Sequence, residues 1–387
     1  MPNVDKACDR QTAVLTPSRR IRRTPYSERV EAAGVSAYTV YNHMLLPTAF
    51  DASVDDDYWH LRSAVQVWDV ACQRQVELSG PDALHLAQLL TPRNLTRLRT
   101  GRCAYIPVVD ADGFLLNDPL LLRLADDRIW LSIADADLGL YALGLAAGLG
   151  LDVRVSEADV HPLAVQGPLA EEVVAAVLGE ELRRIAFFAH ARLPFQGRPL
   201  IVSRSGWSVQ GGFEIYLDDA ALGGALWDAI WAAGERFDIR AGYPHPAERI
   251  EGGLLSYGND VTAADTPLEA GLERYCDGLD SGAACLGADA LRARRAAGVR
   301  RRIVGVTLDG PPVTGVVPPW PATTGSAPAG QVTSAAWSPR LERTVCLAML
   351  AIDACTTGTP VEVATPSGPR HGYVCDLPFP GAVGERR

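Results

Sequence analysis

The sequence predicts an α+β protein in which two ferredoxin-like domains are followed by a small β-barrel. Two observations support this fold class. The order strand, helix, strand, strand is predicted between residues 58 and 150 and again between residues 160 and 233, and from about residue 300 short apolar segments alternate with glycine and proline. Repeated units of the first kind indicate antiparallel α+β domains, and many short strands with Gly and Pro turns indicate a barrel or roll.

Helix-start and turn residues separate the predicted elements of the first unit. Ser79-Gly80-Pro81 is a helix start signal, and Asp110-Ala111-Asp112-Gly113 is a turn between apolar strands. In order, we expect a helix at 58–68, a strand at 75–79, a helix at 82–90, strands at 105–109, 119–124 and 129–133, and a helix at 136–149.

The second unit and the barrel follow the same reasoning. Gly167-Pro168 stops the first strand of the second unit. We expect a strand at 160–166, a helix at 170–178, strands at 185–188, 199–203 and 213–217, a helix at 223–233, and a barrel that begins with a strand at 302–308. The predicted organisation is a flexible lead over 1–18, a two-domain region over 19–298 and a barrel over 299–387.

Composition excludes several classes of function. The 387 residues include 48% hydrophobic side chains and carry a formal charge of −10, which argues against nucleic-acid binding. Lys6 is the single lysine and lies in the predicted lead, so a Schiff-base mechanism is not expected. Eight cysteines without a C-x-x-C pair indicate reduced thiols and no metal site. No signal peptide and no membrane span are expected, so we predict a cytoplasmic protein.

Two carboxylates stand out at the ends or edges of apolar strands. Asp118 follows the run Phe114-Leu115-Leu116-Asn117, and residue type alone leaves it either a turn former or a functional acid. Glu214 alternates with apolar neighbours, so it faces away from them, either toward solvent or toward a ligand with two N–H donors. Trp207 and Tyr216 are core aromatics or the walls of a pocket for a flat or cationic ligand.

Together, four segments resemble the glycine-cleavage T-protein superfamily of folate-dependent aminomethyltransferases. The resemblance runs from about residue 20 to 380, and no single segment would be specific for it. The segments are Asn117-Asp118, Gly211-Gly212-Phe213-Glu214, Arg249 with Tyr257-Gly258-Asn259-Asp260, and Val332-Thr333-Ser334 with Ser338-Pro339.

Within the superfamily, the chain is most similar to the branch of tetrahydrofolate-dependent dimethylsulfoniopropionate demethylases. Tyr41-Asn42-His43-Met44, Asn117-Asp118-Pro119 and Ser205-Gly206-Trp207 carry this closer likeness. One departure concerns a tryptophan that helps to form the sulfonium pocket in that branch. The corresponding stretch, 184–190, contains Phe187 and Phe188 and no tryptophan, so another donor remains an alternative.

The resemblance implies a three-domain cloverleaf with tetrahydrofolate as co-substrate in a central hole. It implies that Asp118 is catalytic and lies near the reacting nitrogen, and that Glu214 holds the pterin. The other implied site residues are Tyr105, Ser132, Trp207 and Arg249 at the folate, and Tyr216, Phe188 and Trp207 at the substrate. The implied partner is a small methyl donor, with a homodimer possible. Two alternatives stay open: transfer of a methyl or hydroxymethyl group from another molecule in a biosynthetic pathway, and folate binding without catalysis.

Overall fold

The structure is a computed structural model that describes residues 18–313 and 319–382. Residues 1–17 of the expected lead lie outside the described residues. The first part of the chain forms α1 (Ser27–Ala32), β1 (Ala37–Tyr41), β2 (Met44–Ala49), α2 (Val54–Ser63), β3 (Gln66–Asp69), β4 (Gln75–Ser79), α3 (Ala83–Leu90), β5 (Cys103–Tyr105), β6 (Val108–Val109), β7 (Leu115–Asn117), β8 (Leu120–Ala125), β9 (Arg128–Ser132) and α4 (Leu138–Leu149).

The second part contains one further series of strands and helices. It forms β10 (Arg154–Ala158), β11 (His161–Gln166), α5 (Ala170–Leu178), β12 (His190–Phe195), β13 (Arg198–Ser203), β14 (Gly212–Leu217), α6 (Gly223–Gly234), β15 (Arg240–Gly242), α7 (Pro246–Glu251), α8 (Gly278–Ser281) and α9 (Ala288–Ala297). Short 3-10 helices lie at Glu180–Arg184, Ala220–Leu222, Glu235–Phe237, Glu273–Tyr275 and Ile352–Ala354.

The last part of the chain is a closed barrel with the strand order β16-β19-β18-β17-β20-β21. Its strands are β16 (Arg301–Leu308), β17 (Trp320–Thr324), β18 (Ala327–Ser338), β19 (Arg343–Ala351), β20 (Pro360–Thr365) and β21 (Gly368–Cys375). Closure pairs both edges of the sheet, so no unpaired edge strand remains in the barrel. The expected α+β fold with a C-terminal β-barrel is therefore confirmed.

Two larger sheets precede the barrel. The first sheet has the order β10-β4-β9-β8-β5 and is antiparallel throughout. The second has the order β12-β13-β14-β11-β3-β15 and is antiparallel except for the parallel pair β3 and β15. Helices α3 and α4 pack on one side of the first sheet, and α5 and α6 pack on one side of the second.

The expected helix at 58–68 is wrong in its second half. Helix α2 ends at Ser63, and β3 begins at Gln66 and enters the second sheet between β11 and β15. All four residues of β3 are buried, so the segment lacks the alternation that marks a half-exposed strand. As a result, the sheets do not follow the two consecutive units read from the sequence.

The expected strand at 185–188 is also wrong. This stretch is a turn, and strand β12 starts only at His190. Phe188 has a φ of 54°, a left-handed backbone conformation that ends any extended run. The apolar residues of the segment reflect burial of Ile185 and packing of Phe188 rather than a strand.

The sheets also pack against each other with the faces that carry no helices. This contact is a buried cluster formed by Cys103, Leu122, Leu124, Trp130, Val160, Ile201 and Tyr216. A separate buried cluster joins α7, α8 and α9 to the barrel through residues such as Ile250, Leu291 and Leu347. Among the described residues, no helix is both long and apolar enough to cross a membrane.

Candidate active site between the two sheets

Some of the predicted site residues lie on strands of the two sheets that meet, and the others lie in loops or on α7. In a strand, side chains alternate between faces, so Cys103 and Tyr105 share one face of β5. Cys103 lies in the cluster between the sheets, whereas Ala104 lies in the core under α3 and α4. On β14, Phe213 and Ile215 lie in the helix-covered core, and Tyr216 lies in the cluster between the sheets. Glu214 therefore faces away from Phe213 and Ile215, as the sequence predicted, and lies on the side of β14 that meets the first sheet.

Asp118 lies between β7 and β8, and its backbone is held by the preceding residue. The side-chain oxygen of Asn117 accepts the backbone N–H groups of Asp118 and Ala134, each at 3.0 Å. The Asn117 amide donates to the Ala134 carbonyl at 3.2 Å, which joins the loop to the end of β9. The buried Asn117 thus fixes the direction in which Asp118 leaves the chain. Its position next to Asp118 in the motif was noted from the sequence, but its role was not.

The carboxyl of Asp118 accepts a hydrogen bond from the Tyr105 hydroxyl at 2.9 Å. Burial raises the pKa of Asp118 to about 7, against the opposing effects of this hydrogen bond and of a backbone N–H. The negative charge of Asp260 raises the same pKa further. Since no ion pair of Asp118 occurs among the described residues, its protonation state can change near neutral pH.

Two further tyrosines lie close enough to Asp118 to sense its charge. Burial is the main cause that raises the pKa of Tyr41 and of Tyr257, and the charge of Asp118 adds to both. Tyr41 ends strand β1, and the turn after it is fixed by the Asn42 N–H, which donates to Asp135 at 2.7 Å. Sequence reasoning used both segments as motifs but named neither tyrosine, because their closeness to Asp118 arises only in the fold.

Glu214 is buried and accepts hydrogen bonds only from hydroxyl groups. Ser205 donates to its Oε2, and the Tyr216 hydroxyl lies 3.4 Å from the same oxygen. Burial raises the pKa of Glu214, while the two hydroxyl groups lower it. Within the described parts of the chain, Oε1 has no hydrogen bond. The arrangement leaves one carboxylate oxygen for the N–H donors of a ligand.

Aromatic side chains surround Glu214 from both sheets. The rings of Tyr216 and Trp130 lie 5.9 Å apart across the contact between the sheets. Phe188 is partly buried and packs on this same cluster, whereas the neighbouring Phe187 is 59% exposed. Of the two phenylalanines considered as replacements for a missing tryptophan, Phe188 is the one placed beside Tyr216.

Ser132 lies at the end of β9, and Trp207 lies in a loop beside α7. The Ser132 hydroxyl accepts the amide of Gln75 at 2.9 Å from the adjacent strand β4. Trp207 lies in the loop between β13 and β14 and remains partly exposed. Its ring is 5.4 Å from the guanidinium carbon of Arg249. Trp207 is therefore held on one side by a cation from α7.

Arg249 is buried in a network that joins α7 to the barrel. Its guanidinium contacts Asp260 at 2.6 Å, the Ser334 hydroxyl at 2.7 Å and the Leu254 carbonyl at 3.2 Å. Asp260 also accepts the Thr333 hydroxyl at 2.9 Å. Arg249 thus combines a contact with Trp207 and bonds to β18. Its role at the folate stays a prediction.

The described residues show no cluster of three or more His, Cys, Asp or Glu side chains that could hold a metal ion. What the site offers instead is two carboxylates on separate elements, the buried Glu214 and the partly exposed Asp118, each with an aromatic hydroxyl beside it. Such a site can accept N–H donors, hold a flat ring and stabilise a cation. One of its carboxyls, Asp118, is suited to proton transfer near neutral pH.

Comparison with known proteins assigns both parts of the chain to one family. The family model described as GCVT N-terminal domain matches residues 26–278, and the glycine cleavage T-protein C-terminal barrel domain matches residues 301–380. The resemblance predicted from the sequence is thereby confirmed.

Two curated relatives cover nearly the whole chain. Dimethylsulfoniopropionate demethylase DmdA of Ruegeria pomeroyi is 49% identical over 362 residues, which is 92% of this chain and 97% of the relative. An aminomethyltransferase of Moorella thermoacetica is 30% identical over 366 residues, 93% of this chain and 98% of the relative. Among solved structures, the glycine cleavage system aminomethyltransferase T of Bartonella henselae shares the fold, with a TM-score of 0.82 at 23% identity, covering 92% of this chain and 98% of that chain.

Proposed function

The chain belongs to the glycine cleavage T-protein family, and we propose that it transfers a methyl group from dimethylsulfoniopropionate to N5 of tetrahydrofolate. The family and the relatives make it a one-carbon transferase with tetrahydrofolate as co-substrate. The observation that carries the choice of donor is the 49% identity to a dimethylsulfoniopropionate demethylase across 97% of that protein. The proposal includes a cytoplasmic location and no metal requirement.

The residues on the two sheet faces fit a folate. The pterin ring is flat and carries an amino group next to a ring N–H, a pair of donors that a carboxylate binds with both oxygens. Glu214 is buried, and its Oε1 has no hydrogen bond within the described residues, so Oε1 would accept one donor of that pair. Its Oε2, which already accepts the Ser205 hydroxyl, would have to share the other donor. Tetrahydrofolate supplies the nucleophilic N5 nitrogen when it is bound. Glu214 would fix the orientation of the ring and exclude water from its inner edge.

Aromatic side chains suit a sulfonium donor. Trp207, Tyr216 and Phe188 would supply ring surfaces to the donor. Tyr216 and Phe188 belong to the cluster between the sheets, and Trp207 lies beside Arg249. A cation over such a ring gains about 0.5–2 kcal/mol, depending on how far it is desolvated. The methyl carbon of a sulfonium carries part of the positive charge, so the same rings help to position the group that is transferred. We propose that Trp207 and Tyr216 hold the donor.

The transfer requires little acid catalysis because the donor already has a good leaving group. The bond between sulfur and methyl carbon breaks as the bond between nitrogen and carbon forms, and the electron pair stays on sulfur as a neutral thioether. Holding the two reactants in line can lower the barrier by several kcal/mol, up to about 7–11 in favourable cases. Most of the catalysis is therefore positioning by the two sheet faces.

The proton of the attacking nitrogen must leave, and Asp118 would receive it. Its pKa of about 7 makes the carboxylate a base that is matched to neutral solution. The Tyr105 hydroxyl, at 2.9 Å, keeps the carboxylate oriented. Because the base must be ionised before it accepts the proton, we expect the rate of transfer to rise with pH through about 7.

A second candidate function follows from the segment that lacks the expected tryptophan. The turn at 185–188 places only Phe188 against the cluster near Tyr216. A smaller ring leaves more room and a weaker cation site, which suits a donor other than dimethylsulfoniopropionate. The same folate scaffold would then take a methyl or hydroxymethyl group from a different small molecule.

A single-turnover assay separates these functions. Purified protein is mixed with tetrahydrofolate and dimethylsulfoniopropionate, and 5-methyltetrahydrofolate is detected by mass spectrometry. Formation of methylfolate in one turnover supports the demethylase. Folate binding in calorimetry without methylfolate would reject this donor, and a panel of other methyl and hydroxymethyl donors would then test the second candidate. Binding without transfer from any of them would indicate a folate-binding protein without catalysis.

A further inference from the structure

The loop 204–211 carries Trp207 and is anchored on one side by Gln166. The Gln166 amide donates to the Ser205 carbonyl at 3.2 Å, and its oxygen accepts the Ser208 hydroxyl at 2.9 Å. A Cβ atom at Gly206, whose φ is +154°, would lie 2.1 Å from the Gln166 amide nitrogen. Glycine is therefore required there, because Gln166 packs directly against the backbone that leads into Trp207.

Glu248 anchors the other side of the same loop. Its Oε1 accepts the backbone N–H of Val209 at 3.0 Å and the side-chain amide of Gln210 at 2.9 Å. The residue is 1% exposed, and among the described residues it forms no ion pair. Burying a carboxylate to this degree lowers the stability of the fold. Its two bonds to the loop therefore indicate that it has a role in holding the loop.

The neighbouring residue on α7 contacts Trp207 itself. The guanidinium of Arg249 lies over the Trp207 ring at 5.4 Å, and its charge is balanced by Asp260 at 2.6 Å. Helix α7 thus contributes adjacent side chains to one loop, with Arg249 on the ring and Glu248 on the two residues that follow Ser208. Between these contacts and the Gln166 anchor, Trp207 has little freedom to move.

We propose that Glu248 is a positioning residue that fixes Trp207 for the methyl donor. Its bonds to Val209 and Gln210 set the path of the loop, and that path sets the plane of the ring. The effect on the donor rests on the function proposed above, whereas the effect on the ring does not. Among the described residues, none of its hydrogen bonds involves Asp118 or Glu214, so its proposed effect on the donor passes through the loop that carries Trp207.

Kinetics distinguish positioning from a general loss of structure. In Glu248→Ala, we expect the KM for dimethylsulfoniopropionate to rise about tenfold, because two charge-assisted bonds to the loop are lost. We expect kcat and the folate Kd to change less than about twofold. Glu248→Gln keeps an acceptor for the Val209 N–H, and the amide of Gln210 can rotate to meet the new donor. It should restore most of the KM.

A double variant tests whether the effect passes through the ring. In a Trp207→Ala background, Glu248→Ala should raise the KM no further, because the group that it positions is absent. Glu269→Ala is a control for the loss of a hydrogen-bonded carboxylate outside the Trp207 loop. The Glu269 carboxylate also accepts one backbone N–H and one side-chain donor, both from Thr266, at 2.8 and 2.9 Å, and it pairs in addition with Arg301 at 2.9 Å. This control should leave the donor KM unchanged.

A second measurement reads the ring without any substrate. The protein is labelled with 5-fluorotryptophan, and the ¹⁹F resonance of Trp207 is assigned with Trp207→Phe. We expect this resonance to shift or broaden in Glu248→Ala. In Glu248→Gln and in the Glu269→Ala control, it should keep the position that it has in the unchanged protein. An unchanged Trp207 resonance in Glu248→Ala, or equal KM increases with and without Trp207, would overturn the inference. Failure of the unchanged protein to demethylate would instead reject the proposed function, and the resonance would still decide the role of Glu248.

Discussion

Carboxylates with little solvent exposure occur in two regions of this molecule, and their hydrogen-bond partners differ between the regions. At the joint between α7 and the barrel, Glu251 and Asp260 are 0% and 3% exposed, and each contacts an arginine, at 2.8 and 2.6 Å. Between the two sheets, Asp118 and Glu214 have hydroxyl or backbone N–H donors and no ion pair within the described residues. The first pair links α7 and the segment after it to the barrel, and the second belongs to the proposed active site.

The difference shows what an arginine does for a buried carboxylate. A guanidinium with two or more hydrogen bonds keeps the carboxylate ionised and its geometry fixed. A carboxylate with hydroxyl partners alone keeps an oxygen for a ligand or can change its protonation state. The lack of an arginine partner does not by itself make a buried carboxylate part of a ligand site. Asp69 has a pKa raised to about 7 by burial, yet its donors, Thr24 and Ala71, belong to a closed local contact.

The largest effect is expected from removing the proposed base. Asp118→Ala should lower the rate of methyl transfer by about 10²–10⁴-fold, the usual contribution of general acid–base catalysis. Folate affinity should stay within about threefold, because Glu214 holds the ring from the opposite sheet. Single-turnover formation of 5-methyltetrahydrofolate and calorimetry with tetrahydrofolate measure the two quantities. Equal turnover in the variant would remove Asp118 from the mechanism, and Asp118 would then be a structural carboxylate like those at the joint.

At the joint, the expected effect is on stability rather than on transfer. Arg340→Ala leaves Glu251 buried with only Tyr58 and Ser338 as donors, and this should lower the free energy of unfolding by about 3–5 kcal/mol. Below the unfolding temperature, folate Kd and the donor KM should be unchanged. Urea unfolding measures the loss of stability.

An exposed ion pair of the barrel provides the control for Arg340. Arg343 and Asp309 are each 48% exposed, so Arg343→Ala should change stability by less than about 1 kcal/mol. A large loss of transfer in Arg340→Ala at full folding would show that the joint also shapes the site.

A variant of Glu214 tests whether the second carboxylate of the proposed active site binds the folate. Glu214→Gln removes the charge and replaces one acceptor by a donor, so folate affinity should fall about 10–100-fold. The rate at saturating folate should change less than it does in Asp118→Ala, because Glu214 does not take the proton. Calorimetry with tetrahydrofolate gives the affinity, and Glu362→Gln on the barrel surface is the control. Full affinity in the variant would make Glu214 a structural group like Glu251.

Much of this site could be predicted from the sequence, but by resemblance more than by residue type. Asp118 alone could have been a turn former, and Glu214 alone could have faced solvent. The pattern around Glu214 did predict which face it takes, because Phe213 and Ile215 are apolar on both sides of it. Strand and helix positions with strong alternation or clear stop signals, such as 170–178, were also correct.

The features of the fold and of the site that the sequence did not predict depend on contacts between residues far apart in the chain. Tyr41 and Tyr257 approach Asp118 only because the β1–β2 hairpin and the segment after α7 fold onto the same space. Strand β3 was missed because a fully buried central strand has no alternation to recognise. One of the two partners of Glu248 is the backbone N–H of Val209, which no side-chain pattern reveals.

The smallest effect concerns stability and pH, and it tests the protonation of Asp118 directly. Its folded pKa, about 7, lies above the ordinary value of an aspartate, so the folded state binds more protons between about pH 4 and 7. The stabilisation from this group is present at low pH and is lost as pH rises through 7.

Asp118→Asn does not titrate and keeps an acceptor for the Tyr105 hydroxyl. It should therefore gain about 1 kcal/mol in unfolding free energy relative to the unchanged protein between pH 5 and pH 8, a value reduced for the partial solvent contact of Asp118. Urea unfolding of both proteins at the two pH values measures this difference, and all other titrating groups cancel in it. Parallel pH profiles would mean that Asp118 ionises as an exposed aspartate does, and its carboxylate would then be too weak a base for the role that separates it from Glu251.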